Sequence, residues 1–445
     1  MDLRSLEQHM RRSGVTHLLV KPLAPNDNSK NQIYLGGNFE AINSVPYGQV
    51  TADGKRAKAS LDLRWLDRDG RIAPAPGAQL ILYPQYPEIR MSGFLRGCET
   101  APTELLSGRA EGRRLVLGVA PGGRIIGFAV AADDPLASEL RDLEMSGAGE
   151  LVSVFVRIEL GQEMRLGNED LLLSQIGAIA ARGFIPGQRL RADGTVVDTN
   201  AANAGGHTLE AALGVAANSA ADADFLGWEL KALTVSKLDA PAKAKMVTVI
   251  TPEPKGGLYA EQGVVDFIRR YGYADRRGRP DRLNVGGQYR AGVPVESTGL
   301  TLRLTGYQQR KGTSRGEITD IAAGAIELVD TKGSVAAAWP YIDLIGHWQR
   351  KHASAAYIPM LTQVEPNGRR FFRYSETAWL GRRTEFLKFI DALAWGEVVY
   401  DPGIKLERAS TDSPKPKRRS QFRIRFGDLS VLYSHFASRR AEWSG

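Results

Sequence analysis

Residues 168–231 decide the fold of the larger part of this chain, and their sequence is NEDLLLSQIGAIAARGFIPGQRLRADGTVVDTNAANAGGHTLEAALGVAANSAADADFLGWELK. Its leucines and isoleucines first recur at helical spacing, which predicts a helix that starts this segment. A second helix is predicted at 207–214, directly after Gly205 and Gly206. The apolar run 224–235 then predicts a strand. Helices that alternate with strands indicate an α/β domain.

Two acids and a lysine stand in or next to this predicted strand. Alternate residues of a strand point to the same face, so Glu229 and Lys231 are expected to lie side by side. Asp224 precedes them, separated by a bend at Gly227, and enters from the preceding turn or strand. Carboxylate oxygens are the ligands that Mg²⁺ prefers, and a lysine ammonium can stabilise the charge that develops on a phosphate. The three residues are therefore candidates for metal-assisted phosphodiester hydrolysis.

A Glu-x-Lys pattern alone is a weak signal, and the chain contains a second copy at Glu253-Pro-Lys255. The central proline of that copy cannot donate a hydrogen bond to a sheet, and Gly256 and Gly257 follow it. The second copy is therefore interpreted as a turn, and the first copy is the candidate active site.

Four motifs in a fixed order give the first copy its context. They are GFIPGQR at 183–189, TLEAALG at 208–214, Asn218 soon after, and DFLGWELK at 224–231. With the Gly-rich loop at 205 and 206, this order resembles the MvaI/BcnI family of restriction endonucleases.

The resemblance implies a PD-(D/E)xK nuclease fold for residues 165–445, with Asp224, Glu229 and Lys231 as the catalytic set. It also implies that Asp224 and Glu229 hold Mg²⁺ and that Glu210 is a supporting acid. Members of this family are expected to cut short targets of the CCWGG or CCSGG kind as monomers, one strand after the other.

The remainder of this part continues to alternate between helices and strands. The predicted elements are helices at 259–271, 341–352, 383–394 and 427–439, and strands at 245–252, 300–307, 325–330, 355–364, 370–374 and 396–401. A basic segment at 409–428 runs into a strand, where Arg419, Gln421, Arg423 and Arg425 are candidate DNA contacts. A surface turn is the alternative. His207 and His435 have no metal-ligand partner at usable spacing and are interpreted as ordinary polar residues.

The first 160 residues show a different pattern of apolar residues. Short apolar runs separated by Gly, Pro and Asp predict strands at 18–20, 33–35, 61–66, 78–84, 88–94, 114–120, 124–131 and 151–160. Their spacing is typical of a small barrel or sandwich. Residues 18–37, LLVKPLAPNDNSKNQIYLGG, resemble the start of the EcoRII effector domain, a DNA-binding pseudobarrel. Its polar loop supplies candidate DNA contacts at Lys21, Asn26, Asn28, Ser29, Lys30 and Gln32, with an ordinary turn as the alternative.

Composition agrees with two domains, and the positive net charge agrees either with a polyanionic partner or with a generally basic protein. Of the 445 residues, 43% are hydrophobic and 24% are charged, which is typical of a globular protein with a hydrophobic core. Residues 1–160 hold 19 Lys and Arg against 19 Asp and Glu, so the whole excess of +8 lies in residues 161–445. Cys98 is the only cysteine, which excludes an intrachain disulfide or a cysteine-based zinc site. The N-terminus resembles no signal peptide and no apolar run predicts a membrane span, so a cytoplasmic location is expected.

These observations predict a two-domain, Mg²⁺-dependent endonuclease that acts on double-stranded DNA at specific sites, with residues 1–160 as an additional DNA reader. A cognate DNA methyltransferase is the expected partner of such an enzyme. The alternatives are a modification-dependent or repair nuclease and, from another class, a DNA-binding protein that does not cleave.

Overall fold

The computed structural model of the chain describes residues 1–24, 31–36, 44–54, 56–83, 88–145, 150–160, 168–201, 203–216, 225–238, 241–243, 245–310, 315–352 and 354–441. The chain divides into two compact units. The first consists of Met1–Arg165 with Ile318–Ala322, and the second of Leu166–Glu317 with Ala323–Gly445. None of the described helices is long and apolar enough to cross a membrane.

The first 160 residues contain mainly strands. The described elements are α1 Leu3–Arg12, β1 His17–Pro22, β2 Ile33–Gly36, β3 Val50–Asp53, β4 Arg56–Ser60, β5 Asp62–Leu66, β6 Ile72–Pro74, β7 Gln79–Tyr83, β8 Glu88–Ser92, α2 Thr103–Ser107, β9 Arg114–Val119, β10 Arg124–Val130, α3 Pro135–Met145, β11 Glu150–Val152 and β12 Phe155–Glu159.

These strands form two sheets. The larger has the order β11-β12-β1-β9-β10-β5-β6, and the smaller has the order β2-β8-β7-β4-β3. Apolar side chains of α1 and α3 pack with the larger sheet in one core that includes Leu6, Leu140, Val116 and Phe128. Each predicted run contains a strand, but the run at 151–160 is a hairpin of β11 and β12, because its turn at Ser153 has φ +53°.

The three described helices of this unit, α1, α2 and α3, were not among the predicted elements. Helix α1 begins after Asp2, whose side chain accepts a hydrogen bond from the backbone N–H of Ser5 at 2.8 Å. This capping interaction satisfies one of the free N–H groups at the start of the helix. Its buried residues Leu6 and Met10 give it one apolar face against the sheet. The amphipathic start of the chain is therefore a packed helix.

His17, at the start of β1, makes the stability of this unit dependent on pH. Burial, reinforced by the nearby charge of Arg157, lowers the pKa of His17 to about 3. Between about pH 6.5, the usual histidine value, and that lowered value, the unfolded chain binds a proton that the folded protein excludes. The free energy of unfolding should therefore fall as the pH drops through this window, by about 2 kcal/mol between pH 6.5 and pH 5.

Urea unfolding at pH 8 and pH 5 measures this loss. His17→Gln should show a smaller loss than the wild-type protein between the two pH values. The comparison at pH 8, where the histidine is neutral in both states, isolates the effect of removing the ring itself. An identical pH dependence in the variant and the wild-type protein would contradict the assignment to His17.

The rest of the chain mixes helices with short sheets. The described elements are α4 Asn168–Ala181, β13 Ile185–Pro186, β14 Gln188–Leu190, β15 Val196–Asp198, α5 Ala204–Ala212, β16 Glu229–Thr234, β17 Met246–Ile250, α6 Leu258–Glu261, α7 Gly263–Tyr271, β18 Tyr273–Ala274, β19 Arg282–Gly286, β20 Pro294–Val295, β21 Leu300–Thr305, β22 Tyr307–Gln309, β23 Gly316–Ile318, β24 Ala325–Val329, β25 Val335–Pro340, α8 Tyr341–His352, β26 Ser354–Val364, β27 Arg370–Tyr374, β28 Thr377–Arg382, α9 Phe386–Ala394, β29 Val398–Tyr400, β30 Gly403–Glu407, β31 Lys415–Lys417, β32 Phe422–Arg425, a 3₁₀ helix Phe426–Leu432 and β33 His435–Arg440.

A six-stranded sheet organises this part. Its order is β13-β27-β26-β28-β33, and β16 pairs with β26 in parallel. The apolar faces of α4 and α5 pack in one core with this sheet, which includes Leu172, Leu209, Leu230 and Ile358. Smaller sheets have the orders β17-β32-β29, β18-β19-β30-β31 and β20-β21-β24-β25, with two-stranded β14-β15 and β22-β23.

The predicted C-terminal helix at 427–439 is wrong. The chain forms a 3₁₀ helix and then β33, which pairs antiparallel with β28. Tyr433 packs over Gly381 of β28, where an added Cβ would lie 2.6 Å from the ring, and its hydroxyl hydrogen-bonds that of Tyr357 at 2.7 Å. These long-range contacts, and the pairing that β33 offers to the edge of β28, outweigh the local helical spacing of Leu429 and Leu432.

Helix α9 begins at Phe386 rather than at residue 383, and two other helices also differ from their predicted bounds. The predicted helix at 259–271 is interrupted at Gln262, because Gly263 adopts φ +88°, so α6 and α7 are separate. Gly205 and Gly206, which were predicted to precede a helix as part of a loop, lie inside α5. Gly205 packs closely against Met360 there, because an added Cβ would lie 2.3 Å from the terminal carbon of that side chain, which would have to move.

Candidate active site

The predicted catalytic strand is β16, and it presents Glu229 and Lys231 on the same face. The Lys231 ammonium nitrogen lies 2.5 Å from Glu229 Oε1 and donates a hydrogen bond to it. Leu230, between them, is buried in the core of this unit. The alternation of the strand therefore places the apolar residue inside and the two charged residues together.

The Glu229 carboxylate is nearly enclosed, with only 4% of the residue exposed. Its Oε1 is bonded to Lys231, while its Oε2 is buried without a hydrogen-bond partner among the described residues. Burial raises the pKa of Tyr357, which pairs with Lys231 in the adjacent strand, and the charge of Glu229 raises it further. An ionised oxygen that is buried and unbonded costs free energy unless a cation or a donor completes it.

A hydrogen-bonded row of three polar side chains runs along α5, which packs against β16. His207 Nδ1 lies 3.1 Å from Glu210 Oε2, and His207 Nε2 lies 2.9 Å from the Asn203 side-chain nitrogen. The sequence suggested no role for His207 beyond an ordinary polar residue. The structure places it where it fixes the orientation of Glu210, the predicted supporting acid.

Glu229 and Lys231 line a cleft of about 500 Å³. Its other polar side chains are Asn203, Thr234, Lys245, Thr248, Thr251 and Arg419. Lys245 precedes β17 and Arg419 precedes β32, two strands that pair with each other. Lys245 was missed in the sequence, because nothing local shows that a residue 14 positions after Lys231 returns to the same cleft.

Asp224 and Asn218, two residues of the predicted constellation, lie outside the described residues. Across the described parts of the chain, no group of three or more His, Cys, Asp or Glu side chains is arranged to hold a metal ion. Glu229, with its free Oε2, is the described carboxylate that offers an oxygen to a cation in the cleft.

The second Glu-x-Lys copy has other partners. Glu253 accepts a hydrogen bond from the Tyr259 hydroxyl, and the Lys255 ammonium lies 2.7 Å from Asp343 Oδ1. The residues lie outside the named strands, between β17 and α6. This geometry agrees with a turn whose charges are used within the protein.

The four candidate DNA contacts of the basic segment differ in their surroundings. Arg419 and Arg425 are exposed. Gln421 is buried, and its amide donates to the Asp401 carbonyl at 2.7 Å. Arg423 is half-buried; its guanidinium contacts Asp401 Oδ2 at 2.6 Å and donates to the Met246 carbonyl at 3.2 Å. The structure therefore leaves Arg419 and Arg425 facing solvent and engages the other two within the protein.

In the first unit, Asn26, Asn28, Ser29 and Lys30 of the predicted polar loop lie outside the described residues. Lys21 belongs to β1 rather than to the loop. It is buried, donates to the Tyr34 carbonyl, and has a pKa that burial lowers to about 8. Gln32 donates to the Tyr83 hydroxyl at 3.2 Å and accepts from Arg90 at 3.3 Å.

Comparison with known proteins finds relatives of the second unit. The sequence model of the MvaI/BcnI restriction endonuclease family matches residues 173–433. A solved structure of the restriction endonuclease MvaI with its cognate DNA is 16% identical, with a TM-score of 0.44, and the match covers 62% of this chain and all of that one. MvaI in the absence of DNA is 16% identical with a TM-score of 0.33, and the match covers 62% of this chain and 99% of that one. No curated protein matches the chain.

The family match covers more than half of the chain and includes Glu210, Glu229 and Lys231. It confirms the resemblance inferred from the ordered motifs, while residues 1–160 lie outside it. The chain belongs to the MvaI/BcnI restriction endonuclease family.

Proposed function

We propose that this protein is a Mg²⁺-dependent, site-specific endonuclease of the PD-(D/E)xK type that hydrolyses phosphodiester bonds of double-stranded DNA. The observation that carries the proposal is the pair of Glu229 and Lys231 in an open polar cleft, with Glu229 Oε2 buried and unbonded among the described residues. Membership of a restriction endonuclease family supports a DNA-cleaving hydrolase.

The donor set fits a hard divalent cation. Glu229 offers a free carboxylate oxygen, and Asp224, five residues earlier, is the proposed second ligand. When bound, Mg²⁺ would supply Lewis-acid stabilisation of the negative charge that builds up on the phosphate.

The chain's own residues then have separate roles. The Lys231 ammonium is positioned by Glu229 and can donate to the attacking water or to a phosphate oxygen. Glu210 is a supporting acid, and its hydrogen bond to His207 restricts its rotamers so that the carboxylate is already oriented. Arg419 and Lys245 add positive charge to the cleft, which attracts the DNA backbone.

We assign residues 1–160 to a DNA-binding pseudobarrel-like domain and residues 165–445 to the nuclease domain. The first assignment rests on the strand-rich fold and on the resemblance of residues 18–37 to the EcoRII effector domain. The enzyme is expected to act as a monomer, with a DNA methyltransferase that protects the same sites.

A plasmid nicking assay with and without Mg²⁺ tests the proposal. Supercoiled DNA should become nicked and then linear only when the cation is present. Digestion of methylated and unmethylated genomic DNA, with sequencing of the ends, should give one short recognition sequence and show whether methylation blocks cleavage. A protein that binds DNA but never nicks it would refute the nuclease and favour a non-cleaving DNA-binding protein.

The basic strand β32 gives a separate prediction about DNA contacts. Arg425 is exposed, so Arg425→Gln should weaken binding to all sequences and flatten the salt dependence by about one counterion. Arg423→Gln removes the contact with Asp401 and should instead lower the free energy of unfolding by about 1–3 kcal/mol. Fluorescence binding titrations at several salt concentrations and urea unfolding separate the two effects. A base-reading role for either residue would appear as lost discrimination at one base pair.

A further inference from the structure

One face of the sheet β18-β19-β30-β31 carries two rows of side chains that differ in charge balance. In the first row, Arg282 pairs with Glu407, which pairs with Lys415. In the second row, Asn284 pairs with Lys405, which pairs with Lys417. The first row alternates positive and negative charge, whereas the second contains two lysines and no acid.

The first row is neutralised within the protein. Arg282 Nε lies 3.5 Å from Glu407 Oε1 and 3.4 Å from Asp275 Oδ2. Asn284 also serves this group, because it accepts from Arg282 at 3.2 Å and donates to Asp275 at 3.2 Å. Glu407 and Asn284, which could otherwise interact with the lysines of the second row, are therefore engaged by Arg282.

Lys405 and Lys417 stand directly opposite each other, and like charges at such positions destabilise a sheet. Burial lowers the pKa of Lys405, and the charges of Arg282, Lys417 and Arg279 lower it further, against the opposite effect of Glu407. Within the described residues, neither lysine has a carboxylate at ion-pair distance. The pair is therefore a site where an anion from outside the protein would be stabilised.

This row continues from the catalytic cleft. Arg419, which lines the cleft with Glu229, follows Lys417 by two residues. The Arg419 side chain packs over Gly403, where an added Cβ would lie 3.0 Å from its Cδ. Gly403 and Lys405 are two residues apart on β30, about 6.6 Å along the strand and on the same face. Positive charge thus extends from the cleft along this face.

We propose that Lys405 and Lys417 form a phosphate-binding row that holds the DNA backbone beside the catalytic cleft. The inference rests on the proposed function, because the anion is the backbone of the DNA that is cut. A lysine ammonium binds phosphate as a point charge and does not distinguish bases. The row therefore contributes affinity, but neither sequence preference nor a part in the chemical step.

The test compares lysines of the two neighbouring strands β30 and β31. Lys405→Gln, Lys417→Gln and the double variant are compared with Lys415→Gln, which removes the same charge from the balanced row. Binding of a catalytically inactive background, Glu229→Gln, to a target duplex is titrated at several salt concentrations. In each of the single variants Lys405→Gln and Lys417→Gln, the negative slope of log K for DNA binding against the logarithm of the salt concentration should become shallower by about 0.9. In the double variant it should become shallower by about 1.8. Lys415→Gln should keep the wild-type slope.

Two further measurements distinguish binding from structure. Without DNA, Lys417→Gln should melt at the same or a higher temperature than the wild-type protein, because it removes a repulsion. With Glu229 intact, the double variant should cleave saturating DNA at the wild-type single-turnover rate, within about twofold, and with unchanged sequence preference.

The proposal is overturned if the double variant keeps the wild-type salt slope, or if Lys415→Gln loses as much as Lys417→Gln. A double variant that is less stable without DNA would also overturn it, because the row would then be structural. Failure of the proposed function has a different signature, namely a wild-type protein that does not cleave DNA at all. If the wild-type protein cleaves and only the slope prediction fails, the phosphate row alone is refuted.

Discussion

Glu229→Gln and Lys231→Ala are each expected to lower the single-turnover cleavage rate by about 10³-fold or more, while DNA affinity changes little. The first substitution keeps the size of the side chain but removes the charge that is proposed to bind a cation. The second removes the ammonium that hydrogen-bonds Glu229 and is proposed to act on the scissile phosphate. Interactions that form mainly in the transition state affect the rate rather than binding. A loss of 10³-fold corresponds to about 4 kcal/mol of activation free energy.

The chain provides a matched control for this experiment. Glu253 and Lys255 have the same spacing, but their side chains are bonded to Tyr259 and Asp343. Glu253→Gln keeps an acceptor for Tyr259, and Lys255→Gln removes only an exposed ion pair, so both should cleave at nearly the wild-type rate. If Glu253 proves essential and Glu229 dispensable, the active site has been assigned to the wrong strand.

Lys231→Ala requires one further check. It leaves the buried Glu229 carboxylate without its ammonium partner, which should lower the free energy of unfolding by about 1–3 kcal/mol. Thermal melting shows whether the variant remains folded at the assay temperature. A folded variant that binds DNA and does not cut it assigns the loss to chemistry.

Strand β16, which carries Glu229 and Lys231, was predictable because its information is local. Glu229 and Lys231 are two residues apart in an apolar run, so the strand period alone places them together. Helix α8 was predicted with its observed bounds, Tyr341–His352, for a similar reason, since its apolar residues recur at helical spacing.

The rest of the cleft depends on contacts that are distant in sequence. Lys245 and Arg419 reach the cleft because β17 pairs with β32, whose residues lie more than 170 positions later. The error at 427–439 has the same origin, since β33 is stabilised by pairing with β28. Local propensity carries no information about which distant strand supplies the partner, and tertiary pairing overrides it. The contact between His207 and Glu210 is local by contrast, because the two residues are three positions apart within the predicted helix 207–214, and this spacing could have indicated it.

The largest expected effect outside the cleft is the separation of binding from cutting between the two parts of the chain. Residues 165–445 should retain Mg²⁺-dependent cleavage, with binding weaker by about 10²-fold, and residues 1–162 should bind DNA without cutting it. Each part has its own core, formed around Val116 and Phe128 in the first unit and around Leu209 and Ile358 in the second. Each is also long enough to fold as a domain.

The physical reason is that a tether raises local concentration without altering chemistry. A DNA reader that is linked to the nuclease keeps it near the duplex, at an effective concentration in the millimolar range for a short linker. Removing the reader should therefore raise the Kd while the single-turnover rate at saturating DNA stays the same. Glu229 and Lys231, which line the cleft, and Glu210 on α5 all belong to the larger fragment, so this fragment keeps every proposed catalytic group that the structure describes.

Both fragments are to be expressed and compared with the intact chain for DNA affinity and single-turnover cleavage, with intact Glu229→Gln as the protein that binds but does not cut. Circular dichroism and a cooperative melting transition establish that each fragment is folded. If a folded fragment of residues 1–162 has no affinity for DNA, and residues 165–445 match the intact protein in both assays, the first unit is not a DNA reader.

Because Lys21 and Gln32 are engaged within the protein, DNA binding by the fragment of residues 1–162 would direct attention to Asn26, Asn28, Ser29 and Lys30. Alanine substitutions at those four positions in the intact protein should then reproduce the weaker binding of the larger fragment.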